Sequence, residues 1–76
     1  MPNVVFTGWK QGLAKVGLNK LFQSRAGLSL SAAKAAVDRI LEGHPVVLTL
    51  DSAREAQDLA REAQMLGAEC SVVEDG

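Results

Sequence analysis

Residues 26–45 read AGLSLSAAKAAVDRILEGHP, and the fold turns on how this run is read. Ala26-Gly27-Leu28 is a turn. Ser29 or Ser31 then stands where a side-chain oxygen can accept a hydrogen bond from an unpaired N–H at a helix start. Leu30, Ala33, Val37, Ile40 and Leu41 recur at helical spacing and make one apolar stripe. Gly43 occupies the place of a left-handed C-terminal residue, and Pro45 follows. The run is therefore an amphipathic helix with both ends marked. Lys34 and Asp38 fall off its stripe four residues apart, a spacing that permits weak pairing.

Working outward, Val4-Val5-Phe6-Thr7-Gly8-Trp9 is β-branched and aromatic and predicts a strand. Lys10-Gln11-Gly12 breaks it. Between Ala14 and Arg25, Leu18, Leu21 and Phe22 mark one face of a short helix. Downstream, Pro45 to Leu50 is a second strand. Ser52-Ala53-Arg54-Glu55 matches a capping box and starts a third helix, with Ala56, Leu59, Ala60, Ala63 and Leu66 as its core face and Gly67 as its stop. Glu69 to Val73 is the last strand.

The element order β-α-α-β-α-β predicts an α+β fold in a single domain spanning residues 1–76. Strands two and three, joined through one helix, should run parallel by a right-handed crossover. The first strand fills the gap between them, antiparallel to both, giving a three-stranded antiparallel or mixed sheet of order 2-1-3. All three helices then cover one face.

Composition bounds the function. Seventy-six residues, 47% hydrophobic and 22% charged, suit one small globular unit. No apolar run approaches the roughly 20 residues of a membrane span. No secretory leader is read at Met1-Pro2-Asn3-Val4, so a reducing, cytoplasmic setting is expected. The single Cys70 has no internal disulfide partner, and with His44 it falls short of a zinc ligand set. His44 reads as a turn residue before Pro45, and Cys70 as a small apolar side chain on a strand. The glycines fit no phosphate-binding spacing, so no catalytic, cofactor or metal site is expected.

The net charge of -1 hides an asymmetry. Lys10, Lys15, Lys20, Arg25, Lys34 and Arg39 against Asp38 leave +5 through Leu41. From Glu42 onward eight acidic residues against Arg54 and Arg61 leave -6. Either the basic half meets an acidic partner or another copy, or folding interleaves the two halves.

The run from Lys15-Val16-Gly17-Leu18-Asn19-Lys20 through Asp38 resembles the C-terminal domain of the bacterial ribosomal stalk protein. The family pattern Lys-Val-x-Val-Ile-Lys-x-Val-Arg, then Gly-Leu-Gly-Leu-x-x-Ala-Lys-x-x-Val-Glu, lies over residues 15–38 without a gap. Its matches include Lys15, Val16, Lys20, Gly27, Leu28, Leu30, Ala33, Lys34 and Val37, and Leu66-Gly67-Ala68-Glu69 resembles the turn before the family's last strand. The resemblance implies the same element order. It also implies a non-catalytic domain that binds an acidic surface, such as a translational GTPase or another ribosome-associated protein, through the first two helices. Lys20 and Lys34 match lysines of that surface, and Lys15 and Arg25 lie beside them. The family arginine three residues after the first of these lysines is Gln23 here. The family's N-terminal dimerisation domain and hinge have no counterpart in these residues, so anchoring to a ribosome by that route is not expected.

Two other readings use the same features. A nucleic-acid-binding module would use the basic half, but Trp9 is the lone aromatic placed to stack and the pI is about 5.7, so nucleic acid is the weaker partner. The adaptor that delivers N-degron substrates to the Clp protease is similar in element order, but Thr7-Gly8-Trp9-Lys10 stands where its acidic grip on a free amine belongs.

Strand alternation predicts one more surface. With Val4, Phe6, Leu48, Leu50, Cys70 and Val72 turned to the helices, Val5, Thr7, Trp9, Val47, Thr49, Ser71 and Val73 face outward. That face carries no charge, and an apolar sheet face predicts self-association, most simply a two-fold homodimer through Val5, Thr7, Trp9, Val47, Thr49 and Val73. The bland reading folds Trp9 over the Gly12 loop and leaves ordinary exposed area.

Overall fold

The valine-rich opening forms β1 (Pro2–Trp9) in the computed structural model, which describes residues 1–74. Asp75 and Gly76 lie outside the described residues, so Asp75 enters only the charge tally above. After β1 come α1 (Lys15–Arg25), α2 (Leu30–Leu41), β2 (Val46–Thr49), α3 (Ala53–Met65) and β3 (Ala68–Glu74). The sheet order is β2-β1-β3, with β1 antiparallel to both neighbours, as the sequence order predicts.

The helix starts follow the predicted chemistry. Ser29, rather than Ser31, caps α2 by accepting from the Ala32 N–H at 3.2 Å, and Ser52 caps α3 by accepting from the Glu55 N–H at 3.2 Å. Gly67 follows α3 with φ +102°, a conformation that disfavours any side chain. The turn it makes is pinned to the segment before α1: Lys10 N–H donates to the Gly67 carbonyl at 2.8 Å, and Ala14 N–H to the Leu66 carbonyl at 2.9 Å.

Val4 and Phe6 of β1 are fully buried beneath Leu18, Phe22, Ala33, Ile40, Leu59 and Ala63. α2 and α3 lie on the sheet, while α1 packs mainly against those two helices. Phe22 ties α1 to the layer below, its ring meeting that of Phe6 edge to face with centroids 5.1 Å apart. Because α1 sits high, it stands as a ridge with a groove toward α2 and another toward α3.

A bulge in β1 corrects one expectation. Phe6 pairs with Cys70, but Gly8 pairs with Glu69 and Trp9 with Ala68, so Thr7 is the extra residue. The slip reverses the alternation beyond it. Opposed residues share a face, and Ala68 is buried on the helix side, so Trp9 turns that way too. Its indole Nε1 donates to the Leu41 carbonyl at the end of α2, at 3.3 Å. Trp9 thus leaves the outer sheet face, and neither of its two predicted placements holds. Thr7 stays exposed at the bulge, while Val47 and Val73 remain exposed on the outer face with Val5 half-buried between strands.

Candidate functional site

The groove between α1 and α2 gathers most of the residues singled out in the sequence. Lys15, Lys20 and Lys34 stand around it with Asp38, Asn19 and Gln23, over an apolar lining of Val16, Leu30, Val37 and Leu41. Its volume is about 370 Å³. The lysines arrive together through helix geometry. Lys15 and Lys20 lie off the Leu18-Leu21-Phe22 stripe that α1 buries, and Lys34 lies one turn along α2 from Leu30. Among the described residues no carboxylate oxygen lies within 4 Å of any of the three ammonium groups, Asp38 included. Asn19 and Gln23 are bonded to each other, the Gln23 amide donating to Asn19 Oδ1 at 2.6 Å.

The apolar lining is the part that sequence reading missed. Leu30 belongs to the predicted core stripe, yet it is 67% exposed, and Val16 beside it on α1 is 70% exposed. The spacing Leu30, Lys34, Val37, Leu41 does carry the signal: it is a second stripe rotated toward α1 and shared with the core only at its inner edge. Burying Leu30 would have needed α1 to lie against the first turn of α2, and the high seat of α1 leaves that turn open.

Arg25 stands apart from the three lysines and does not line the groove. Its Nε lies 2.8 Å from Glu62 Oε2 on α3, and it borders a different hollow with Thr49, Asp51 and Glu55. The approach is an ion pair by distance only, because the N–H is not aimed at the oxygen. Arg61 likewise holds Asp58 at 2.9 Å within α3. One ion pair, Arg25 with Glu62, thus joins the basic half to the acidic half, and among the described residues Lys10, Arg39 and Arg54, like the three groove lysines, have no carboxylate within 4 Å.

His44 is exposed, 3.7 Å from Glu42, and stands outside the α1–α2 groove. Cys70 is half-buried, its thiol lying 3.5 Å from the Ala60 carbonyl. Burial raises the pKa of Cys70, and a hydrogen bond from Gln64 only partly offsets the rise. No group of three or more metal-ligating side chains occurs among the described residues, and no described helix is long and apolar enough to cross a membrane. Against models of known families and against curated proteins, the chain finds no match.

Proposed function

We propose that the chain is a non-catalytic interaction domain that captures an acidic protein segment in the α1–α2 groove. The observation that carries this reading is three lysines around one apolar cleft, none with a carboxylate within 4 Å among the described residues. Apolar side chains of a partner would fill the space over Val16, Leu30 and Leu41, and its carboxylates would meet Lys15, Lys20 and Lys34. The resemblance to the stalk factor-binding domain names the first partner to test, a translational GTPase, in a bacterial cytoplasm.

The test is a titration of the chain with a purified translational GTPase, read by Trp9 fluorescence and by backbone amide shifts. Trp9 is the sole tryptophan and its Nε1 is bonded to the Leu41 carbonyl, so filling the groove should change its emission. A rim ion pair contributes about 0.2–1 kcal/mol, and reversing the charge replaces attraction by repulsion. Lys20→Glu with Lys34→Glu is thus expected to weaken binding about tenfold or more, with unfolding unchanged. Binding that survives the double reversal, or shifts confined to the outer sheet face, overturns the proposal. A salt dependence as steep as phosphate neutralisation produces, with an oligonucleotide in place of the GTPase, would favour the nucleic-acid reading instead.

A further inference from the structure

The two edges of the sheet are treated differently. Leu50 N–H donates to the Pro2 carbonyl at 3.0 Å, which makes Pro2 and Leu50 a hydrogen-bonded pair. Antiparallel bonding alternates, so Leu48 and Val46 also bond to β1, whereas the N–H and C=O groups of Val47 and Thr49 point to the open edge. The same alternation turns the Cys70 and Val72 backbone toward the other edge. There the side-chain amide of Gln64 donates to the Cys70 carbonyl at 3.0 Å, the strand carries Glu69 and Glu74, and a bulge breaks the facing register. These are the devices that stop an edge from pairing. β2 is limited only by its four-residue length and by Pro45 before it; Val46-Val47-Leu48-Thr49 itself is uncharged, unbulged and without a side-chain cap on its open edge.

We propose that the open edge of β2 pairs with the β2 of a second copy, extending the sheet to six strands about a two-fold axis. The geometry is self-complementary. With the axis at Leu48, Val47 faces Thr49 of the second copy and Thr49 faces its Val47. Both are hydrogen-bonded positions, so four backbone bonds close. Leu48, half-buried on the helix side, meets its own symmetry mate and completes its cover. No like charges meet along the strand. The flank of α2 turned away from the groove carries Ala32 and Ala36, small enough to admit a neighbouring helix, and Arg39, long enough to swing clear. The α1–α2 groove stays open on both copies, so the dimer presents two grooves and a partner with two acidic segments gains from both.

Stable interfaces bury roughly 1,200–2,000 Å², and a pairing closed by two residues of each strand is expected to give a weak, fast dimer populated toward about 1 mM. Sedimentation of the full chain is expected to move from 8.0 kDa toward twice that mass as concentration rises. Hydrogen exchange of the unmodified chain should slow at Val47 and Thr49 by about tenfold at the upper concentration, because edge N–H groups become bonded. Val47→Pro, which removes an outward N–H without touching the bonds to β1, should hold the chain monomeric. Val73→Lys on the outer face should leave the dimer intact. A constant 8.0 kDa mass, a dimer whose Val47 and Thr49 amides still exchange freely, or loss of the dimer in Val73→Lys but not in Val47→Pro overturns the proposal.

Discussion

Phe22→Ala tests the physical core of the site, because Phe22 is what holds α1 over the sheet. The side chain is 0% exposed and its ring contacts Phe6 with centroids 5.1 Å apart. Truncating a buried phenylalanine costs about 3–5 kcal/mol, and an edge-to-face pair adds about 0.5–1.5 kcal/mol beyond area, which places this site near the upper end. A domain of 76 residues is stable by about 4–11 kcal/mol at ordinary per-residue values. The substitution therefore removes at least a third of the stability and in the worst case all of it. In a urea titration followed by circular dichroism, with a slope of about 1 kcal/mol per molar, the midpoint should fall by about 4–5 M or the transition should vanish. Phe22→Leu keeps an apolar plug and should cost only about 1–2 kcal/mol, leaving a foldable chain. A midpoint shift below about 1 M for Phe22→Ala would refute the claim that this contact seats α1, and with it the account of why the groove exists.

Two further outcomes follow from local geometry. Gly12 and Gly67 both have positive φ, at +90° and +102°, but an added Cβ meets nothing within 4 Å at Gly12 and lies 3.1 Å from Leu13 Cα at Gly67. Gly12→Ala should cost about 1–2 kcal/mol from backbone strain, and Gly67→Ala about 2–4 kcal/mol because backbone must also shift; equal thermal midpoints would refute the difference. The raised thiol of Cys70 sets a pH dependence. Its folded pKa lies above the unfolded one, so its stabilising contribution is whole below the unfolded pKa and is lost as pH rises through the folded value. Unfolding midpoints should drop above about pH 9 in the wild type more than in Cys70→Ala, and iodoacetamide should label the native thiol more slowly than the urea-unfolded one.

What the chain carries locally is its element plan. Ser29, Ser52, Gly43 and Gly67 mark helix ends through hydrogen bonds and backbone angles that depend on a few neighbouring residues. The stripes Leu18-Leu21-Phe22 and Ala56-Leu59-Ala60-Ala63 name the faces that become buried. The order of elements then leaves β1 as the middle strand, and Lys20 and Lys34 reach one groove because each lies off its helix's buried stripe. Three features were settled only by tertiary packing. One extra residue at Thr7 slipped the register and carried Trp9 to the helix side, since a one-residue shift reverses every later side chain. Arg25 found Glu62 across the fold, a pairing that no spacing along the chain encodes. The seat of α1 above α2 and α3 left Leu30 and Val16 uncovered, because burial depends on where a neighbouring helix rests and not on the stripe that a helix presents.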